Sequence, residues 1–485
     1  MIDLLDKSKV LKIINDIETS QNRERREHEI KAFEIYSGNL RDHVYNRIQQ
    51  LYPKTHKSFS IADLNLTKKI TDKKSKAYRQ NPIRELDSED ESVKYSQLMK
   101  ECGSIEAWQT FDIYYNLHKY AAMWFSYVDG RIILRPLSPF QFSRVVNNIG
   151  DTEVFIVNFP SNEMYESYDT DGRKSIIQDS AQDSERCKRY ALWSDSQHVV
   201  IRCYESDSEE TPSRIVYEAI DGNENYENPL GVIPAAFAQQ GDNAVLPILN
   251  PLSKQTIEYN QQYSVMLTGC SVQTFGHLIL KHPEDQAVPA EIYNSLFTYS
   301  KLPQMEGADT TLEYLNSSPN LRSNLDVLSD YGQQIINEHL GDGAQNVNRS
   351  NNFASGLDRM IAMSDITNLI ESNQQIYAKV EDKIYQIIKS YYEAENSNLF
   401  KSGSLTVKYQ KAKPIQSEQE ILANIEKKIN LGLIERHEAL MMLDPNMSKE
   451  AAIEKIEKVK QEKQQSMIDF MGGDNGNQYS KNSGA

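Results

Sequence analysis

The sequence predicts an α+β fold in which a β-rich region precedes a set of long helices. Between residues 127 and 240, short runs with period-two alternation are separated by polar spacers, which is typical of antiparallel strands with short links. Between residues 250 and 395, side chains of one stripe recur every three or four positions, which is typical of helices. A chain of 485 residues can bury a substantial core and form two or more domains.

The helical region begins at Asn250-Pro251, where Asn can cap a helix and Pro fits its first position. One stripe of the predicted helix then carries Leu252, Thr256, Tyr259, Tyr263, Met266 and Cys270. A compact insert follows, from about residue 273 to residue 320, with the strand-like run Leu278-Ile279-Leu280. The pattern predicts a helix that leads into a small domain.

A second helix and a long helix follow the insert, with a polar loop between them. The second helix begins at Ser323, which forms a variant capping box with Asp326, and ends near Gly341. The long helix extends from about Ser355 into the region of Tyr391. The sequence therefore predicts the order helix, insert, helix, polar loop, long helix.

The polar loop has the most unusual local composition, with four asparagines and a single arginine between residues 345 and 352. Neutral amides with one Arg can hydrogen-bond phosphates without holding them strongly, whereas a tight binder clusters Lys and Arg. One interpretation is therefore a weak contact with a moving polyanion. The other is an exposed hinge between two helices, which composition alone favours because most polar loops are only connections.

The N-terminal part predicts helices before the β-rich region. Residues 1–50 are expected to form two charged helices, and residues 92–126 one or two aromatic-rich helices that contribute to the core. Asp129-Gly130 predicts the turn of a β-hairpin. Between the two helical parts lies a basic island, which would contact DNA or an acidic neighbouring subunit, or would be an exposed helix side: Lys68, Lys69, Lys73, Lys74, Lys76, Arg79 and Arg84.

The C-terminal part predicts a short strand at residues 404–409 and then three helices. The first of these begins at the capping box formed by Ser417 and Glu420 and ends near Gly432. The last is a charged helix that ends at about Met467, and the Gly/Asn/Ser-rich residues after it are expected to be disordered.

Composition and motifs exclude several classes of protein. The net charge of −16 argues against a surface that wraps nucleic acid tightly. The four cysteines have no CxxC spacing, which indicates a reducing compartment. The first residues lack the basic and apolar regions of a signal peptide, and no apolar run has membrane-spanning length, so we expect a soluble protein made in a cytoplasm. No P-loop, GxSxG or HExxH motif occurs, so the residues show no catalytic constellation and predict neither a cofactor nor a metal site.

The order of these elements resembles that of portal proteins of tailed bacteriophages. Four phrases carry the resemblance, which covers about residues 61–463. They are Leu66 to Tyr78 with Asn81-Pro82-Ile83-Arg84; Asn228 to Pro234; Phe353 to Leu357; and residues 414–420 with Gly432-Leu433-Ile434 and Ala439-Leu440. Each phrase alone is weakly specific, but their order and spacing together are characteristic of the family.

The resemblance implies a subunit of a ring, usually a dodecamer, at one capsid vertex. Double-stranded DNA would be packaged through the ring by the terminase and later leave through it, and carboxylates lining the channel would repel phosphates and reduce sticking. The resemblance implies contacts with the terminase large subunit, major capsid and scaffolding proteins, and a head–tail connector, in the virion after assembly in the host cytoplasm. The implied DNA-facing residues of the tunnel loop are Asn346, Asn348, Arg349, Asn351 and Asn352.

The resemblance also implies domain boundaries, with a wing, two stem helices, an α/β clip and a helical crown. They are the wing at 1–249, the first stem helix at 250–270, the clip at 271–322, the second stem helix at 323–342, the tunnel loop at 343–354, the long wing helix at 355–400, the crown at 401–467 and a disordered tail at 468–485. From the residues alone, a cytoplasmic enzyme with an unrecognised active site and a monomeric adaptor or scaffold protein remain alternatives.

Overall fold

A computed structural model shows a mixture of helices and mainly antiparallel sheets, which confirms the α+β class. The structure describes residues 2–128, 131–159, 166–168, 174–176, 187–206, 209–218, 225–240, 251–275, 277–283, 299–304, 311–315, 321–341, 364–395, 397, 399–409, 418–443 and 449–472. The chain divides into two compact units. The first contains Met1–Asn351 and Ala362–Ala412, and the second contains Asn352–Ile361 and Lys413–Ala485.

The first unit contains nine helices among its described residues. They are α1 (Lys7–Ile17), α2 (Ser20–Ser37), α3 (Leu40–Leu51), α4 (Leu66–Lys74), α5 (Glu89–Glu101), α6 (Ser104–His118), α7 (Leu252–Phe275), α8 (Leu321–Leu340) and α9 (Ser364–Ala394). Helix α1 starts where the Asp6 carboxylate accepts hydrogen bonds from the backbone N–H groups of Ser8 and Lys9, which leaves fewer unpaired donors at the helix start.

The strands of this unit form five sheets within the described ranges. They are β1 (Ile83–Glu85), β2 (Tyr120–Val128), β3 (Arg131–Leu137), β4 (Phe142–Val146), β5 (Thr152–Phe159), β6 (Glu166–Tyr168), β7 (Lys174–Ile176), β8 (Cys187–Trp193), β9 (His198–Ser206), β10 (Glu209–Glu218), β11 (Ala235–Gln239), β12 (His277–Pro283), β13 (Tyr299–Gln304), β14 (Thr311–Leu315) and β15 (Thr406–Lys408).

Two sheets pack face to face in the β-rich region. The larger has the strand order β10-β9-β8-β5-β4 and is antiparallel throughout, and the smaller has the order β11-β2-β3. Phe155 and Trp193 of the larger sheet pack against Trp124 of the smaller one. The predicted hairpin is confirmed, since Val128 pairs with Arg131 on either side of the predicted turn. The prediction of antiparallel strands here is also confirmed.

Helices cover the outer faces of the two sheets. Helix α1 packs Val10 and Ile14 against the larger sheet. On the other side, helices α6 and α9 pack against the smaller sheet through Phe111 and Tyr377, in the largest apolar core of the chain. The layers of this region are therefore helix, sheet, sheet and helices.

The predicted helical stretch 92–126 is wrong at its C-terminal end. Helix α6 stops at His118, and Tyr120, Trp124 and Phe125 lie on strand β2. Alternate side chains of β2 face two different cores, one between the sheets and the other beneath α6 and α9. Because both faces are buried, the run shows no polar alternation, and periodicity alone cannot distinguish it from a buried helix.

The three-stranded sheet of β12, β13 and β14 lies between α7 and α8 in the sequence. Strand β12, which contains the predicted run Leu278-Ile279-Leu280, is central; it pairs parallel with β13 and antiparallel with β14. Helix α7 begins at Leu252 and ends at Phe275, and α8 extends from Leu321 to Leu340. Strand β15 pairs with β1, so residues 406–408 belong to this first unit, although the predicted crown begins at residue 401.

The second unit has three helices among its described residues: α10 (Glu418–Asn430), α11 (Arg436–Leu443) and α12 (Lys449–Gly472). Helix α10 ends as predicted near Gly432, whose φ of +68° permits the backbone N–H of Leu433 to reach the carbonyl of Lys428. Helix α12 continues through Gly472, past Met467, where the prediction ended it. The predicted disorder is therefore wrong for residues 468–472.

Candidate functional site: the helix pair and the root of the polar loop

The described residues on either side of segment 342–363, which contains the predicted tunnel loop 343–354 and the predicted start of the long helix, lie next to each other at a point we call the loop root. Gly341 follows α8, and Asp365 lies in the first turn of α9. A methyl group on Gly341 would lie 2.5 Å from Cβ of Asp365, and Gly341 has a φ of +83°. Both features require glycine at this position. The end of α8 and the start of α9 are therefore fixed beside each other.

The predicted DNA-facing residues of the loop all lie outside the described residues: Asn346, Asn348, Arg349, Asn351 and Asn352. The same is true of the side chains of β12, β13 and β14. The role of the loop and that of the small sheet stay predictions. The described site consists of the helices that support both of them.

Helices α7 and α8, which we call the helix pair, pack closely at a glycine. Gly332 of α8 faces the ring of Tyr259 on α7, and a methyl group at Gly332 would lie 2.8 Å from Cε2 of that ring. Nearer the loop root, Leu252 packs with Ile335 and Leu340 in a small apolar core. The contact between the two helices thus combines a close approach with apolar burial.

A hydrogen-bond chain links the helix pair close to the loop root. The amide of Gln255 donates to the carboxylate of Glu338 at 2.7 Å, and Nε2 of His339 lies 2.8 Å from the amide oxygen of Gln255. Burial lowers the pKa of His339 to about 4, and the nearby Lys74 contributes to this shift. His339 is therefore neutral at pH 7 and can donate this hydrogen bond through Nε2.

The other side of α7 carries four polar residues spaced by four, which we call the polar seam: Thr256, Asn260, Ser264 and Thr268. The first three are fully buried. The three after Thr256 each donate to the backbone carbonyl four residues earlier, at distances of 2.6 to 2.8 Å. These bonds fix the side chains and leave their oxygen atoms free to accept from a neighbour.

The polar seam holds residues 60–64 against the helix. The backbone N–H groups of Ser60, Ala62 and Leu64 donate to Thr268, Ser264 and Asn260 in turn, at 3.0, 2.8 and 2.7 Å. The amide of Asn260 also donates to the carbonyl of Leu64 at 2.9 Å. Successive donors lie two residues apart in an extended chain, about 6.6 Å, and the acceptors lie four residues apart on a helix, about 6 Å, so the two spacings match.

The sequence-predicted stripe on α7 is only partly the buried one. Leu252 and Thr256 are buried, but Tyr259 and Tyr263 are half-buried, and the next fully buried positions are Asn260 and Ser264. Of the seam residues, only Thr256 belongs to the predicted stripe, because the other three are polar residues that an apolar pattern does not select. The signal that could have found the seam is the repeat of Thr, Asn, Ser and Thr at a spacing of four residues.

The basic island divides into buried and exposed residues. Lys74 is buried at the last position of α4, and burial, together with Lys119, lowers its pKa to about 7. Arg84 is buried and pairs with the carboxylate of Glu381 on α9. These two residues are therefore internal parts of the fold. Neither interpretation of the island, a contact with DNA or an acidic subunit or an exposed helix side, holds for them.

Two buried carboxylates anchor α9, which begins at the loop root. Glu381 accepts from Arg84 and also from the hydroxyl of Tyr78 at 2.9 Å. Asp112 of α6 accepts from the hydroxyl of Tyr377 at 2.7 Å. Because both anchors are buried, α9 is held rigidly against α6 and against the strand pair formed by β1 and β15.

Within the described ranges, no three His, Cys, Asp or Glu side chains cluster in a way that could hold a metal ion. No helix in this part of the chain combines the length and the apolar character required to cross a membrane. The described site is thus a packed pair of helices, with the small sheet between them along the chain and the start of α9 beside the end of α8.

Comparisons with known proteins give only weak similarities. No family model matches the sequence, and no curated protein matches it. Among solved structures, the chain is similar to one in the neck of an empty gene transfer agent particle computed with C6 symmetry, with a TM-score of 0.37 and 9% identity over 79% of this chain and 90% of the other. A chain in the virion of a native gene transfer agent particle has a TM-score of 0.36 and 8% identity over 78% and 89%. Similarity at this level identifies neither the family nor the function.

Proposed function

We propose that this chain is the portal protein of a tailed bacteriophage. Copies of the chain would form a ring at one capsid vertex, through which the terminase packages double-stranded DNA and to which connector or tail proteins attach. The chain would have no catalytic activity of its own, since the motor belongs to a partner. The capsid and scaffolding proteins would contact the outer part of the ring.

The observation that carries the proposal is the arrangement of the helix pair. Helix α7 leads into a separate small sheet, α8 returns beside α7, and the long α9 starts at the same root where α8 ends. This order agrees with that of stem, clip, stem, tunnel loop and long helix, to which the sequence phrases also point. The tunnel loop implied by the resemblance would then be carried by α8 and α9, which meet at this root.

The polar seam is consistent with a structural role for α7. Four backbone hydrogen bonds join residues 60–64 to one face of the helix, and α8 occupies another. Thr67 on α4 adds a hydroxyl contact to Thr256 at 2.8 Å, in a buried position. A helix held on two sides is suited to form part of a channel wall.

The net charge of −16 fits the same proposal. A channel that DNA crosses in both directions must not bind phosphates tightly, because tight binding releases many counterions and slows movement. An acidic wall repels the backbone over a distance set by the ionic strength, about 8 to 10 Å in physiological salt. The acidic composition therefore supports sliding.

The experiment that tests the proposal is negative-stain electron microscopy of the purified full-length chain. We expect annular particles with a central hole, accompanied by a high molecular mass in light scattering. Monodisperse monomers at all protein concentrations and salt conditions would contradict the proposal and would favour an adaptor or an enzyme.

The loop can be tested separately by the substitution Arg349→Ala. We expect rings to form as in the wild type, because the position lies beyond the rigid root, while DNA packaging or retention in the particle changes. The measurement is the amount of nuclease-protected DNA per particle. Loss of rings in this variant would instead assign Arg349 to a contact between subunits.

A further inference from the structure

Helix α4 turns its buried face toward the helix pair and a basic face toward solvent. Thr67, Ile70 and Lys74 are buried, and Ile70 packs with Leu252 and Ile335 of the helix pair. Lys69 and Lys76 are exposed, and Lys73 between them is half-buried. The basic face is therefore carried by an element that is fixed to the helix pair.

One part of this face is accounted for by contacts within the chain. The hydroxyl of Tyr36 donates to the carboxylate of Asp72 at 2.8 Å. The ammonium of Lys68 lies 5.7 Å from the centre of the Tyr36 ring, within reach of a cation–π contact. Lys68 and Asp72 are thus engaged with α2.

The remaining three lysines, Lys69, Lys73 and Lys76, form what we call the basic strip. Lys69 and Lys73 are four residues apart and so lie on one side of α4. Lys76 follows two residues after the helix end, close enough for its charge to act on Lys73. Within the described residues, no carboxylate pairs with any of the three ammonium groups. The pKa of Lys73 is lowered by burial and then by the charges of Lys69 and Lys76, so the three groups repel one another.

Such a strip is unusual in this chain, which carries 69 acidic residues against 53 basic ones. Three like charges without a counter-charge among the described residues destabilise the fold by mutual repulsion. A bound polyanion would neutralise them and remove this cost. Lysine is depleted at protein–protein interfaces, whereas lysine contacts to phosphate oxygens supply much of the affinity of proteins for nucleic acids. A nucleic acid therefore fits the strip better than an acidic protein surface does.

The surroundings of the strip favour a duplex over a single strand. Proteins that bind single strands stack the bases on exposed aromatic side chains. No aromatic residue occurs between Lys69 and Lys76, and Tyr78 after them is buried. The half-buried Tyr36 lies nearby, but its hydroxyl is bonded to Asp72 and the ammonium of Lys68 lies over its ring. We propose that Lys69, Lys73 and Lys76 bind the phosphate backbone of double-stranded DNA. The inference rests on the proposed function only in that DNA is the polyanion that passes this chain.

Binding through three lysines is weak and sensitive to salt. Each phosphate contact contributes about 0.9 to the slope of the logarithm of affinity against the logarithm of salt concentration, so three contacts give about 2.7 for each contacting subunit. Between 50 and 200 mM salt, this slope corresponds to a loss of affinity of about 40-fold. A contact of this kind guides DNA and releases it readily.

The test measures fluorescence anisotropy of a labelled 30-base-pair duplex with the full-length protein at a series of KCl concentrations between 50 and 200 mM. The test variant is Lys69→Gln/Lys73→Gln/Lys76→Gln. The control variant is Lys54→Gln/Lys94→Gln/Lys100→Gln, which removes three exposed lysines elsewhere and changes the net charge equally. If the triple test variant unfolds, Lys69→Gln/Lys76→Gln serves instead, because both of its positions are exposed.

We expect the salt slope to fall by about 2.7 for each contacting subunit in the test variant, or by about 1.8 in the double variant, and to stay at the wild-type value in the control. Equal slopes in the test and control variants would overturn the inference. So would displacement of the duplex by polyglutamate at equal charge concentration, which would point to an acidic protein partner. Ring formation, scored in parallel by electron microscopy, separates the two proposals, because rings without a strip effect remove only this inference.

Discussion

Two buried carboxylates, Glu18 and Asp112, stabilise two contacts between elements of the first unit in contrasting ways. We call these contacts joints. Each side chain is 1% exposed. Glu18, which follows α1, accepts hydrogen bonds from Arg26 at 2.8 Å, Lys188 at 3.0 Å and Tyr190 at 2.9 Å. Burial opposes the ionisation of Glu18, but the bonds and charges of Arg26 and then Lys188 outweigh it and lower its pKa to about 2.

Asp112 has three donors as well, but none of them is charged. The donors are the backbone N–H of Ala77, the side-chain amide of Asn116 and the hydroxyl of Tyr377. Burial raises the pKa of Asp112 to about 7, and these neutral donors offset only part of that effect. Glu18, in the joint between α1, α2 and the larger sheet, therefore stays ionised near pH 7. Asp112, in the joint between α4, α6 and α9, changes its charge near pH 7.

Because Glu18 and Asp112 each have three donors, the charge of the donors, more than their number, decides whether a buried carboxylate stays ionised. A cationic donor supplies both a hydrogen bond and a Coulomb attraction that a low-dielectric interior strengthens. The two joints serve different parts of the molecule. The joint at Asp112 holds the helix that starts at the loop root, so the support of the polar loop responds to pH near neutrality.

The largest expected effect comes from Glu18→Gln, which removes the anion and leaves two cations beside a buried amide. We expect the free energy of unfolding to fall by about 3 kcal/mol at pH 7. Because the folded pKa of about 2 lies below the ordinary value of 4.5, this contribution is present above about pH 4.5 and is lost as the pH falls toward 2. Urea unfolding at pH 7 and pH 3 measures both parts.

The matched control for this substitution is Glu27→Gln, at an exposed position of α2, which changes the net charge equally. We expect this control to change the unfolding free energy by less than about 0.5 kcal/mol. If the two variants were equally stable at pH 7, the ion pairs of Glu18 would contribute nothing to the joint, and the comparison with Asp112 would fail.

The substitution Asp112→Asn is expected to have the second largest effect on stability. It keeps the shape of the side chain but replaces one acceptor oxygen of the carboxylate by an NH2 donor. At least one of the three donors then faces an N–H group, which costs about 1 to 3 kcal/mol. The folded pKa of Asp112 is raised, so its contribution in the wild type is fully present below about pH 4 and is lost as the pH rises through about 7. The difference between wild type and variant should therefore shrink from pH 5 to pH 8 in urea unfolding; a constant difference would show that Asp112 does not titrate in this range.

The order of elements could be predicted from the sequence because local signals specify it. The Asn250-Pro251 start, the Ser417 capping box and the Asp129-Gly130 turn act through a few neighbouring residues, and they predicted α7, α10 and the β2–β3 hairpin. Strand β2 was mistaken for a helix because it is buried on both faces. Its partners lie in two cores that only the folded chain defines.

The internal role of the basic island could not be predicted, because its partners are distant in sequence. Arg84 pairs with Glu381, 297 residues later, and Lys74 is buried where α4 meets α6 and α8. Local composition shows only that both residues are basic. The same composition correctly marks the residues of the basic strip as cationic, but only the structure shows which of the seven face solvent.

The smallest expected effect distinguishes the two joints most sharply, because it removes one neutral donor from each. Tyr377→Phe and Tyr190→Phe each delete a hydroxyl that donates to a buried carboxylate, and each should cost about 1 kcal/mol. The Tyr377 hydroxyl favours the ionised form of Asp112, so its loss raises that pKa further and moves the pH range of lost stability upward. Glu18 keeps its two cationic donors in Tyr190→Phe, so its pKa stays far below neutrality. Unfolding free energies between pH 5 and pH 9 should give a shifted curve for Tyr377→Phe and a curve parallel to the wild type for Tyr190→Phe; two parallel curves would show that donor charge does not separate the joints.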